Sequence, residues 1–170
     1  MIIGLDKLRR QLDNLSVTDM IRPTNKAIGL VQSNAKRNVQ VDSGELRESI
    51  YTDVYQQGNH VIGSCFTNKA YGIFVEFGTG PKGQANHEGI SPEVSVAYSQ
   101  SPWWIHESQI DKETAEKYHW FYIDTPQGRF YQCTGQPARP YLYPAIKNNV
   151  DKISEIYEEH LLKKIRSVTK

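Results

Sequence analysis

Cysteine is scarce in this chain: Cys65 and Cys133 are the only two in 170 residues. Two are too few for a disulfide framework, and nothing beside them has zinc-ligand spacing. Five scattered histidines (His60, His87, His106, His119 and His160) do not supply a metal set either. No apolar run approaches the roughly 20 residues that a membrane helix needs. The opening MIIGLDKLRRQLDNL carries charges where a signal peptide would have its apolar core. Net charge is nearly absent as well, with 20 Lys/Arg against 19 Asp/Glu, so nothing draws the chain generally to nucleic acid or anionic lipid. Missing too are the marks of hydrolytic chemistry: there is no G-x-S-x-G elbow, no H-E-x-x-H, and no recognisable Cys–His or Ser–His pairing. These absences predict a soluble, cytosolically made globular protein of one domain's length, with no membrane segment, no metal and no cofactor.

What charge there is lies unevenly. Residues 1–40 hold seven Lys/Arg against three Asp, and residues 84–130 hold three Lys/Arg against seven Asp/Glu. Solvated faces explain this simply; charge-complementary contact between copies or partners is the sharper reading. Leu5, Leu8, Leu12 and Leu15 follow 3-4-3 spacing and predict a short amphipathic helix over 3–15. A second helix is expected beyond Pro23, near its start, with Ala27, Ile28, Val31, Ala35 and Val39 as its apolar stripe. Asp42, with Glu45 three residues on, reads as a capping box opening a short helical turn. Ile50, Thr52 and Val54 then alternate with polar neighbours, Gln57-Gly58-Asn59 supplies a turn, and residues 61–66 return as a strand. Residues 70–77 fit strand and helix equally.

Residues 78–102 are rich in Gly, Pro, Ser and Asn and read as a long loop, of the kind that is functional or orders on binding. WWIHES then reads as a strand, DKETAEKY as a helical turn capped by Asp111, and HWFYIDTPQGRFYQC as a hairpin turning at Pro126-Gln127-Gly128. Residues 98–131 hold nine of the 18 aromatics and all three tryptophans. GQPARPYLYPAI is a stiff lead-in to a final helix. Pro144 is expected in the first turn of that helix, and Ile146, Val150, Ile153, Tyr157, Leu161 and Ile165 on its stripe. The expected architecture is α+β: an antiparallel sheet of about three to five strands, packed by N-terminal helices and a long C-terminal helix. It is read as a single domain over 1–170, with an aromatic-rich insertion over 84–134 made of a long loop, a strand, a helical turn and a hairpin.

One stretch invites an enzymatic reading. Gly78-Thr79-Gly80-Pro81-Lys82-Gly83 spells G-x-G-x-x-G, but a phosphate cradle needs a strand before it and a helix opening from it. The sequence offers no helical stripe after Gly83, and no Ser or Thr follows a Gly-Lys pair as the Walker pattern requires. The plainer reading is a sharp turn, with Gly78 and Gly80 at positive φ. Glu76, between Val75 and Phe77, either faces solvent or pairs with a base such as Arg139 or Arg47. His106, Glu107 and His119 could meet across strands at a metal; solvated histidines are the plainer reading. Basic N-terminal helices leave a nucleic-acid module open, though the aromatic insertion is acidic. Trp103, Trp104 and Trp120 read as a small accessory core or a protein contact surface.

Four stretches in order carry a family resemblance: VDSGELRESI (41–50), AYGIFVEFGTG (70–80), GQPARPYLYPAI (135–146) and the terminal amphipathic helix. Together they resemble the small head–tail connector, or tail-completion, family of long-tailed bacteriophages and prophages, the minor tail components named after gene ten of a lambda-like phage. Asp42, Ser43, Gly44, Leu46, Arg47, Ser49 and Ile50 match its first block. Tyr71, Val75, Glu76, Phe77, Gly78 and Thr79 match the second, and Pro140, Tyr141, Leu142, Pro144 and Ala145 the third. Gly72 departs from the usual Ala and Tyr141 from the common Phe. The resemblance covers about 41–83 and 135–165, and says least about 84–134. It implies a structural virion protein without catalysis, cofactor or metal. Copies would form a ring at the neck, touching neck and tail proteins, with DNA only as passing cargo. The place would be the bacterial host cytoplasm during assembly and then the virion. A minor tail or tail-terminator protein is the nearest alternative; a nucleotide-binding enzyme using Gly78–Gly83 is more remote.

Overall fold

The structure is a computed structural model that describes residues 17–40 and 42–168; the helix expected over 3–15 lies outside the described residues. A 3-10 turn, Val17–Met20, leads into α1 (Ile21–Asn38). Next come α2 (Glu45–Glu48), β1 (Ile50–Gln57), β2 (His60–Thr67), α3 (Gly72–Phe77) and α4 (Gly80–Ala85). Then follow β3 (Trp103–His106), a 3-10 turn at Glu107–Gln109, α5 (Lys112–Lys117), β4 (Tyr122–Thr125) and β5 (Gly128–Cys133). The last described elements are α6 (Tyr143–Lys147) and α7 (Val150–Val168). The fold is α+β as expected, with its strands divided between antiparallel sheets of two and three strands. Residues group into two compact units, one of 17–70 with 141–168 and the other of 71–140.

The first unit is built around α1. Its expected stripe is buried throughout, from Ala27, Ile28 and Val31 to Ala35 and Val39, and the helix touches β1, β2, α6 and α7. Removing that apolar surface from water is what holds a helix of ordinary propensity in place. Polar groups on the same face are paired. Thr24 donates to the Met20 carbonyl (2.7 Å) and shares a 2.8 Å bond with the Tyr157 hydroxyl of α7. Gln32 reaches the Ile50 carbonyl at 2.8 Å, tying α1 to the start of β1. Asn38 donates to the carbonyl of Tyr141, whose side chain is fully buried.

The first motif block makes the corner between α1 and the hairpin. Gly44 occupies the cap position of α2 with φ +87° and has no side chain to cap it, while the Ser43 Oγ accepts from the Glu45 N–H at 3.4 Å. A Cβ on Gly44 would meet nothing within 4 Å, so the requirement there is conformational rather than spatial. Leu46 points inward and Arg47 outward. Ser49, 4% exposed, donates to the Leu46 carbonyl (2.8 Å) and bonds the Thr67 hydroxyl (2.6 Å), which in turn accepts from the Lys69 N–H (3.1 Å). This relay joins the end of α2 to the end of β2. Ser49→Ala removes the bonds to the Thr67 hydroxyl and the Leu46 carbonyl, and is expected to cost about 1–3 kcal/mol, read as a lower denaturant midpoint with an unchanged slope.

β1 and β2 pair in full register from Ile50↔Thr67 to Gln57↔His60, and Gly58 takes the positive φ of the two-residue turn. Burial pushes the Cys65 thiol on β2 up to about 11, against the opposing pull of Lys36. The folded state therefore favours the neutral thiol. This contribution is fully present below the ordinary thiol range and fades as pH rises towards 11. Alkylation of Cys65 should be slow at pH 8 and accelerate only in strong base; rapid labelling at neutral pH would contradict the assignment.

The terminal helix differs from expectation. Pro144 opens a separate short helix, α6, and the chain breaks at Asn148-Asn149 before α7 begins. The buried Asn149 turns its side chain onto the Ala145 carbonyl (2.9 Å), the local competition that makes Asn a poor interior helix residue. In consequence Ile146 and Val150, placed on the buried stripe by a continuous helix, are 48% and 53% exposed.

In the second unit β5 is the central strand, flanked by β3 and β4. Tyr131, buried, faces Ile105 on one side and Tyr122 on the other. Asp124 and Arg129 are cross-strand partners, bonded at 2.7 and 3.2 Å, and the Arg129 guanidinium lies 3.9 Å over the Tyr122 ring. That hydrogen-bonded guanidinium holds the Asp124 carboxyl below its usual range. Asp111 caps α5 as expected, accepting from the Thr114 N–H at 3.0 Å.

Candidate assembly surface

Residues 70–77, undecided by periodicity, form the helix α3 from Gly72 onward. The glycine stretch that follows is thus preceded by a helix, and one expectation about it is corrected: a short helix, α4, does open at Gly80. Six residues with Pro81 in the first turn were too few to leave an apolar stripe in the sequence. Even so, no phosphate cradle results. The Thr79 N–H bonds the Gln136 carbonyl (2.9 Å), the Lys82 N–H bonds the Thr134 carbonyl (3.1 Å), and the Gly83 N–H bonds the Thr79 carbonyl (2.9 Å). With the Gly78 N–H on the Phe74 carbonyl (3.0 Å), four of the donors that would hold an anion are taken.

Those bonds lace the second motif block to the third. Gln136 returns its N–H to the Thr79 carbonyl (3.1 Å) and its side-chain amide to the Phe74 carbonyl (2.8 Å). The Arg139 N–H reaches the Val75 carbonyl at 2.8 Å. The lacing leaves no room for side chains at two glycines. A Cβ on Gly78 (φ +74°) would lie 2.6 Å from the Ala138 nitrogen, and one on Gly135 (φ +80°) would run into the Thr79 carbonyl. Close backbone approach, not ligand contact, is what these glycines serve.

Beside this seam lies a recess of about 780 Å³, walled by Ile73, Phe74, Phe77, Val94, Val96 and Trp103, with Gly78–Gly80 behind them. Three of its polar wall residues, Tyr98, Gln136 and Thr79, are engaged internally. The Tyr98 hydroxyl, pushed above its usual range by burial, donates to the Phe77 carbonyl at 2.7 Å. The Gln136 amide is taken by Phe74, and the Thr79 hydroxyl accepts from the Gln136 N–H at 3.1 Å. At the mouth, Ile73 and Phe74 on α3 are 58% and 52% exposed. Residues 84–98 are thus less free than their composition implied. Tyr98 anchors one end, His87 stacks on its ring at 5.8 Å, and the Asn86 carbonyl accepts from the Ala138 N–H.

The sequence-selected residues scatter. Glu76 is buried, which removes the solvent-facing alternative, while Arg47 and Arg139 are exposed. Tyr71 is exposed at the start of α3, Pro140 and Leu142 are half-buried, and Tyr141 is core. Trp103 and Trp104, adjacent on β3, point to opposite faces: Trp103 lines the recess and Trp104 lies exposed, 6.1 Å from the Phe121 ring. Trp120, half-buried, hangs its N–H on the Ala115 carbonyl. His106 bonds Ser108 and the Gln127 carbonyl, and Glu107 accepts from the Arg129 N–H. Among the described residues no group of three metal-capable side chains gathers, and no helix is long and apolar enough to cross a membrane. Gln136 and Tyr98, which hold the recess together, escaped the sequence reading: a bond between residues 57 positions apart leaves no periodic trace.

Comparison with known families gives a match over part of the chain. Residues 6–78 fit the HK97-gp10-like family, described as "Bacteriophage HK97-gp10, putative tail-component". The matched stretch takes in the first motif block and the second as far as Gly78, and does not reach the third. No curated protein and no solved structure matches the chain.

Proposed function

Because residues 6–78 carry the pattern of an HK97-gp10-like phage tail component, we propose that this chain is a non-enzymatic connector, or tail-completion, subunit that joins neck to tail through protein–protein contacts. Copies of it form a ring, neighbouring neck and tail proteins bind its faces, and DNA passes through without being specifically held. Its place is the host cytoplasm during assembly and the virion afterwards. The insertion 84–134, within one connector domain, supplies much of the contact surface.

The observation that carries this reading is the character of the exposed surface on residues 71–140. Ile73, Phe74, Val94, Trp104 and Phe121 are each more than 40% exposed, whereas the Gly78, Thr79, Lys82 and Gly83 N–H groups of the glycine turn are taken up internally. A surface that offers apolar side chains and few open donors suits protein contact better than chemistry on a small substrate. Immunogold labelling of purified virions tests the position. Label at the junction of head and tail is expected; label confined to the distal tail tip would favour the minor-tail alternative.

A further inference from the structure

We infer that the groove between α1 and α7 binds the phosphate backbone of duplex nucleic acid, without reading its sequence. The inference stands apart from the ring reading, since it needs only the first unit, of residues 17–70 with 141–168. The groove has a volume of about 660 Å³. Arg22 and Lys26 line it from α1, and Glu159, His160, Lys163 and Lys164 from α7. Arg22 and Lys26 stand one turn apart, as do His160 and Lys163, so each helix sets its bases in a row along the cleft. The Thr24–Tyr157 bond, at 2.8 Å, ties the two helices together.

The lining sets the chemistry of the occupant. Four Lys/Arg face one acid among the described lining residues, so in a chain of net charge +1 the positive field is local to this cleft. Arg22 and Lys163 have no carboxylate partner among the described residues, and Lys164 is held by Asp19. Lys26 meets Glu159 at 3.6 Å with side chains 64% and 60% exposed. A pair so exposed is worth little, and gives Lys26 up to an anion at small cost. The Nε2 of His160 is buried and has no hydrogen-bond partner. A buried ring nitrogen left unpaired carries a desolvation penalty that an anion's oxygen relieves. A guanidinium fork, ammonium groups and a ring nitrogen gathered from two helices suit a phosphate, with oxygens in several directions, better than a planar carboxylate. No Phe, Tyr or Trp is among the described lining residues, so unstacked bases find no platform. That favours the duplex backbone over a single strand.

Fluorescence anisotropy of the full-length chain with a short labelled DNA duplex tests this. Binding is expected at low salt, with log affinity falling linearly against log salt at a slope of about −2 to −4. Arg22→Gln with Lys163→Gln should reduce that slope by about 2 and weaken binding about tenfold or more. Arg47→Gln with Lys152→Gln removes two exposed bases outside the groove, and should leave the affinity within about twofold. His160→Phe should weaken binding about tenfold at an unchanged slope. Far-UV circular dichroism and the thermal midpoint confirm that each variant is folded, because the tryptophans all lie in the other unit. Inorganic polyphosphate is expected to displace the duplex. Poly-glutamate of equal charge displacing it as well would give the groove to an acidic protein segment and overturn the inference. Absence of binding at low salt overturns it too, as does an equal loss in the two double variants. The position of the protein in virions is tested by labelling and not by this titration, so the two readings fail separately.

Discussion

Gly135→Ala is expected to lose about 3 kcal/mol or more of stability, where the average substitution costs about 1. Two penalties coincide. At φ +80° an L side chain is strained, by about 1–3 kcal/mol, and the added methyl runs into the Thr79 carbonyl that the Gln136 and Gly83 N–H groups bond. The neighbour in the clash is backbone, fixed by the same seam, so it cannot give way cheaply. Gly78→Ala should behave alike, since its Cβ meets the Ala138 nitrogen and the Gln136 carbonyl at 2.6 and 2.9 Å. Gly44→Ala is the control: its φ is also positive but its surroundings are empty, so only the conformational part should be lost, about 1 kcal/mol. All three tryptophans lie within residues 71–140, so their emission reports that unit directly. A red shift and a lower midpoint for Gly135→Ala, with Gly44→Ala near wild type, is the expected pattern. Equal effects at both positions would mean that crowding at the seam is not what the glycines relieve.

The second large effect concerns assembly rather than folding. Ile73→Asp with Phe74→Asp replaces two side chains that are more than half exposed, so stability should move by less than about 1 kcal/mol. If these residues are central anchors of a protein contact, each is worth about 2 kcal/mol of binding, and the pair together weakens it by roughly a thousandfold. The expected phenotype is a folded protein, unchanged in its tryptophan emission, that no longer joins heads to tails. Joining at normal efficiency would remove α3 from the contact surface.

Local pattern made much of the fold readable in advance. The stripe of α1, the hairpin of residues 50–67 and the Asp111 cap depend on neighbours a few positions apart, which is the range where spacing speaks. Failures came where contacts across long separations decide. Residues 70–77 became helical although a six-residue run fits both periods. The terminal helix broke at Asn148-Asn149 because Asn149 turns to the Ala145 carbonyl beneath it. At the corner before α2 the cap position itself went to Gly44, whose positive φ no spacing rule foretells. The recess was invisible for a related reason. Its walls come from α3, from residues 94–99 and from β3, brought together by long-range links such as the Tyr98–Phe77 bond and the Thr79–Gln136 bridge. By contrast, the family resemblance was legible from motif order, since Gly44, Leu46 and Ser49 each answer a local need of this corner.

Functional complementation of assembly bears most directly on the role proposed for this chain. Disrupting its gene in the phage or prophage that encodes it, and examining the lysate by electron microscopy, should reveal filled heads and finished tails lying unjoined. Adding the purified wild-type protein should then restore joined, infectious particles, and adding the Ile73→Asp/Phe74→Asp protein should not. Normal joined virions in the absence of the protein would contradict the connector role.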